Sequence, residues 1–160
     1  MKSIGKGKNH CVFEDDCNIF WYNYDLNDVK DYNKAIMRIK ISAQKSLEYD
    51  VWQAKTKIKE EICPVCNSPY TYVKADTHHH PLTITSVIEN IVDELIMSNV
   101  INDHSFLEVV QLVMAKHLQN KIEYIVLCTH CHERYHANDP EAMVGVNEAF
   151  KRLKDSNNKG

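Results

Sequence analysis

Residues 127–136 read Leu-Cys-Thr-His-Cys-His-Glu-Arg-Tyr-His, and the fold turns on how that stretch is understood. It holds a Cys-x-x-Cys knuckle, Cys128 and Cys131, which runs directly into His132-x-x-x-His136. A first knuckle, Cys63-Pro-Val-Cys66, lies upstream. Each x-x step folds a tight turn that brings two sulfurs onto one ion, so Cys63, Cys66, Cys128 and Cys131 suit a closed tetrahedral zinc site. Histidines four apart share one face of a helix, so His132 and His136 can grip a second metal together. That second site lacks thiolates and can keep a coordination position open, which is the condition for metal chemistry.

The rest of the chain sets the bounds. Its 160 residues fit a single fold that buries about two thirds of its unfolded surface. A hydrophobic content of 44% beside 26% charged residues is that of a soluble globular chain. No apolar run approaches the ~18 to 20 residues of a membrane span, and the basic start, Met-Lys-Ser-Ile-Gly-Lys-Gly-Lys, is followed by no apolar segment. The expectation is therefore no membrane partner and a cytoplasmic location, where reducing conditions make paired cysteines metal ligands before disulfides. Cys11 and Cys17, beside His10, match no ligand spacing and read as free thiols.

The net charge of −3 excludes a surface basic all over, but charge is segregated along the chain. Lys30, Lys34, Arg38, Lys40, Lys45, Lys55, Lys57 and Lys59 face only Asp31, Glu48 and Asp50 across residues 30–59, whereas residues 84–125 are acidic. Such a basic stretch is ordinarily a solvated helix face, unless a site beside it takes phosphate.

All four prolines lie beyond Cys63, and between Lys8 and Cys63 there is no helix breaker. Val29, Tyr32, Ile36, Ile39, Ala43, Leu47, Val51, Ala54, Ile58 and Ile62 recur there at steps of three and four, the stripe of an amphipathic helix. It runs as one helix over about residues 27–61 or as two, bent near 48–50, behind an aromatic plug of Phe20, Trp21, Tyr22 and Tyr24. Farther on, Ser86-Val-Ile-Glu89 and Ser105-Phe-Leu-Glu108 have capping-box form and start two more helices, parted by a polar turn over 98–104. Residues 122–127 alternate as a strand delivering Cys128. Asp139-Pro140 starts a last helix, through about Lys154. Tyr70-Thr-Tyr-Val73 alternates like a strand and Asp76 to His80 like a second, a hairpin after the first knuckle.

With those elements in order, Thr77-His78-His79-His80-Pro81-Leu82 and the stretch ending at His136 resemble the HNH, or ββα-metal, endonucleases. They are similar to the zinc-stapled branch that includes phage recombination endonuclease VII, with a His-x-x-x-His helix of the colicin type. The resemblance covers about residues 62–138. It implies an α+β, mostly helical fold: a ββα-metal core (62–138) with a zinc staple and a helical insert (84–120), an N-terminal helical extension (1–61), and a C-terminal helix and basic tail (139–160).

The same resemblance implies site roles. His78 is a metal ligand and His79 the general base, with a register shifted by one, to His79 and His80, as the alternative; His132 and His136 complete the ligands. The asparagine of the family name falls on Asn90, Asn99, Asn102 or Asn120 without a way to choose. The residue types agree with this chemistry. An imidazole near its usual pKa of ~6.5 can take a proton from water, and Arg134 can clamp a phosphate. Imidazoles suit zinc, nickel or cobalt, while entry of Asp76 into the coordination shell turns preference toward magnesium or manganese. His10, His104, His117 and His130 read as structural or exposed. The expected activity is metal-dependent hydrolysis of DNA, by a chain of phage origin, with the N-terminal helical segment as a surface for a protein partner. The other expectation is a non-catalytic zinc module binding nucleic acid or protein.

Overall fold

The computed structural model describes Trp21 and residues 23–160; Phe20, Tyr22, His10, Cys11 and Cys17, named above, lie outside the described residues. Among the described residues the fold is α+β and mostly helical, with one two-stranded sheet. The described residues divide into two compact units: those up to residue 50 with 82–121, and residues 51–81 with 122–160.

The first unit is built on helix α1 (Val29–Gln44), capped by the Asp28 carboxylate, which accepts from the Asp31 amide. Ala35, Ile36, Ile39 and Ala43 are its buried stripe, and it packs on α3 (Ile84–Met97) and α4 (Phe106–Leu118). Those bring Val87, Ile88, Ile91 and Val92 from one side and Val109, Val113 and Met114 from the other. Trp21 is buried here and donates its indole N–H to the His104 carbonyl (2.6 Å). Helix α4 starts where its sequence says, with the Ser105 hydroxyl accepting from the Glu108 amide. Helix α3 starts a turn before its expected Ser86 cap. Thr83 takes the cap position and accepts from the Ser86 amide, which makes Ser86 a first-turn residue. Asn99 and Asn120 follow these helices with φ of 55° and 58°, as Asn138 does in the other unit. At each, the next amide bonds back across the last turn, as in Val100 N–H to Leu95 O. Asn99 and Asn120, two of the four asparagines considered for the family position, are thereby explained as helix terminators.

Helix α2 (Leu47–Lys57) departs from the expected stripe. The break falls at Lys45-Ser46, just before the region anticipated, because Ser46 bonds Ala43 O and accepts from the Tyr49 amide. The break resets the helical phase, and the buried face of α2 is Tyr49, Trp52 and Thr56. Leu47, Val51 and Ile58, read as core, point outward, with Leu47 73% exposed. Two large rings bury more apolar area than the aliphatic stripe, and they decide the orientation.

In the second unit β1 (Ala75–His79) runs antiparallel to β2 (Tyr124–Cys128), in register from Ala75 opposite Cys128 to His79 opposite Tyr124. Helix α5 (Thr129–His136) follows β2 at once, and α6 (Pro140–Asn157) packs on α5. Asp139 caps α6 by accepting from the Glu141 and Ala142 amides. The expected hairpin is not the pairing found. Residues 70–73 form turns in which the Tyr72 and Val73 amides donate to Pro69 O. Tyr70 and Val73, three apart, pack on the core while Tyr72 is exposed, a turn's period in place of a strand's. The partner of β1 comes from the far side of the helical residues 84–118. The core is Cys63, Ile125, Leu127, Cys128, Cys131, Val146 and Ala149, so the knuckles sit inside it. Gly145 lets the first knuckle approach α6: a Cβ there would stand 3.1 Å from Val65 Cγ1.

Candidate metal centres

The first knuckle is a tight loop closed by the Cys63 amide donating to Ser68 O and the Asn67 amide to Cys63 O, with Asn67 at φ 60°. An L-residue reaches that backbone most readily when it is Asn, which explains the residue after Cys66. In the second knuckle Cys128 is the N-cap of α5, its sulfur accepting from the Cys131 amide at 3.4 Å. The four ligand sulfurs lie within 4.8 Å of one another, and Cys66 and Cys128 Sγ are 3.6 Å apart. A tetrahedral zinc with Zn–S of about 2.3 Å separates its sulfurs by about 3.8 Å, so four cysteines at this spacing fit such an ion. Cys63, Cys128 and Cys131 are buried and Cys66 is exposed. Burial pushes the Cys128 and Cys131 thiols up; at Cys66 burial also pushes up, but the hydrogen bonds from the Ser68 hydroxyl and amide and from Cys128 and Cys131 together outweigh it and bring it down to about 6. Zinc would reverse the upward shifts by binding the thiolates.

The second group lies on the face of β1 that meets α5. Alternation along the strand sends Asp76, His78 and His80 to that face and Thr77 and His79 to the other. The ligand nitrogens of His78, His132 and His136 lie within 4.8 Å of one another. Nε2 of His132 and Nε2 of His136 are 3.0 Å apart, near the ~3.4 Å edge of a tetrahedral imidazole site. Nδ1 of His132, on the opposite ring edge, is 3.4 Å from Asp76 Oδ2. Burial, and then the neighbouring His132, His136 and His80, push His78 down to about 3; burial and His132 also lower His136. At neutral pH His78 and His136 therefore present lone pairs, the state a metal requires.

His79 is brought elsewhere. Its ring stacks on Trp52 at 4.9 Å, in the layer where Thr77 meets Thr56 at 2.6 Å. His80 is buried between Phe150 and Tyr135, and its Nδ1 has no hydrogen-bond partner among the described residues. Arg134 points from α5 to the start of α6, with Nε 2.9 Å from Asp139 and Nη2 3.2 Å from Glu141. These carboxylates brace it across the α5–α6 turn. His104 and His117 donate from Nδ1 to Val100 and Val113 carbonyls, and His130 is exposed. Two neighbours escaped the sequence reading. Trp52 carries no ligand signal, and Tyr135, whose ring is 4.7 Å from His78, hid inside the His-x-x-x-His spacing.

The model of the Bacteriophage G278-like virion protein family matches residues 4–159, and the chain belongs to that family. The expected phage origin agrees with it. No curated protein and no solved structure matches the chain.

Proposed function

We propose that this chain is a metal-dependent hydrolase of phosphodiester bonds in DNA, on a zinc-stapled ββα-metal core of the HNH type. The observation that supports this reading best is the convergence of His78, from a strand, with His132 and His136, from the helix that follows the paired strand. A divalent ion bound there would polarise a non-bridging phosphate oxygen and offset charge on the departing 3′ oxygen. His132 and His136 leave one side of the site open, since both are at least partly exposed. The family pattern makes His79 the proton acceptor of this reading, although β1 turns its ring to Trp52, on the face away from the three histidines. Phosphate contacts beyond the metal fall to exposed lysines such as Lys55, Lys59 and Lys151.

The test is cleavage of supercoiled DNA by protein loaded in turn with Mg²⁺, Mn²⁺, Zn²⁺, Ni²⁺ and Co²⁺, beside the variant His132→Ala. Nicking by the wild type alone, dependent on the ion, supports the hydrolase. A second reading is favoured by membership in a family of virion proteins: a non-catalytic metal module within the particle. Two bound ions per chain with no cleavage under any metal would establish that reading and overturn the first.

A further inference from the structure

We infer that Asp76 is a positioning residue of the histidine site, holding His132 in the tautomer and ring orientation that aim Nε2 at His78 and His136. The inference rests on the metal-binding half of the reading above and not on hydrolysis.

Asp76 and His78 stand two apart on β1 and so project to the same face, toward α5. From there Oδ2 of Asp76 reaches Nδ1 of His132 at 3.4 Å, while Nε2 of His132 faces Nε2 of His136 at 3.0 Å. The ring is thus bracketed, a carboxylate on one edge and the ligand cluster on the other. A carboxylate can only accept, so Nδ1 carries the proton and Nε2 keeps its lone pair. Asp76 is outside the set of ligand atoms that lie together, which gives it the role of a carboxylate behind a ligand in place of a fourth ligand. Lys74 Nζ stands 3.9 Å from the other oxygen but is 78% exposed and competes weakly for it.

The need for such a residue follows from the cluster itself. Two neutral imidazoles with Nε2 atoms 3.0 Å apart can join by one N–H···N hydrogen bond, which closes the site to metal. If His132 were free to take the Nε2–H tautomer it would donate to His136 in this way. Asp76 removes that option for His132, whose Nε2 can then only accept, so the one proton a metal has to displace at this edge belongs to His136. Three imidazoles as ligands favour zinc, cobalt or nickel over magnesium.

The experiment is cobalt titration of the full chain whose cysteine site is already filled with zinc, reading the visible d–d bands, for the wild type, Asp76→Asn and Asp76→Ala. Nitrogen-15 spectra of the histidine rings without cobalt give the tautomer. The expected result is one further equivalent in the wild type, with affinity lower by about 10- to 100-fold in Asp76→Ala and less in Asp76→Asn, whose amide oxygen still accepts from Nδ1. The band shape should stay the same in all three, and His132 should shift from Nδ1–H toward a tautomer mixture in Asp76→Ala. Unchanged affinity in both variants, or Nε2–H on His132 of the wild type, overturns the inference. A change of band shape that marks a lost ligand overturns it in favour of Asp76 as a ligand. A wild type that takes up no cobalt beyond the zinc overturns the metal reading beneath it. Should Asp76→Ala fail to fold, Asp76→Asn and the wild-type ring spectra decide alone.

Discussion

The two ligand groups share helix α5 and lie in one unit, yet they are built in opposite ways. The cysteines come from knuckles 62 residues apart, as with Cys66 and Cys128, and three of the four are inside the core. Each histidine comes from β1 or α5, and the group grades from buried His78 to exposed His136. A closed set of thiolates crosslinks the chain and has no position left for chemistry. An open set of neutral imidazoles contributes less to folding and leaves a ligand position for substrate or water. One helix thus carries both residues fit for a closed staple and residues fit for an accessible metal site.

The largest expected effect is on the staple. Cys131→Ser should abolish metal binding at the cysteines and the cooperative melting of the second unit, since structural zinc stabilises small domains by about 10–16 kcal/mol in apparent terms. Circular dichroism with and without a strong chelator measures it, and a wild type that melts unchanged after zinc removal would break the comparison at its root. Next, His136→Ala should lower bound metal from two ions to one with only a small change in melting temperature. Elemental analysis checks the count, and loss of both ions would show the two groups to be one cooperative site.

A smaller effect is expected at His79. His79→Ala should keep both ions and, if the hydrolase reading holds, lower cleavage by about 10²- to 10⁴-fold, the usual range for a lost general base. Full activity would move the proton acceptor to another group. The pH dependence sharpens the comparison further. His78 is held down to about 3, so between ~6.5 and 3 the unfolded chain binds a proton that the folded chain refuses. With zinc only at the cysteines, stability conferred by neutral His78 is full above pH ~6.5 and falls as pH drops toward 3. His78→Gln should flatten melting temperature against pH across that window; an unchanged slope would mean that His78 is protonated in the fold. The smallest effect lies in the unit that holds neither group. Ser105→Ala removes the α4 cap and should cost about 1 kcal/mol by urea unfolding, with metal content unaltered.

What the sequence carried was local. Each knuckle is closed within six residues, Ser105 and Asp139 cap helices whose first amides lie two or three residues on, and His132 and His136 share a face by helical period alone. Asp76, too, was within reach, because a strand's period of two puts it beside His78. Tyr70 to Val73 alternates like a strand, but Pro69 O collects its amides into a turn. Ser86 heads a capping box, but Thr83 offers the same oxygen a turn earlier.

Tertiary structure alone decided the rest. β1 found its partner beyond the helical residues 84–118, and no signal within either strand says that its edge will meet the other. That pairing, with α5 behind it, selected His78 and sent its neighbour His79 to Trp52. The phase reset at Ser46 put Trp52 in place of Val51 on the buried face of α2. Arg134 pairs with Asp139 and Glu141, whose carboxylates arrive with the next helix. The division has one physical cause. Caps and knuckles are closed by hydrogen bonds or metal bonds between near neighbours, so their chemistry is written in a few letters. The side of a strand or helix that is buried is chosen by the apolar area of everything that can pack against it, and that sum exists only once the chain has folded.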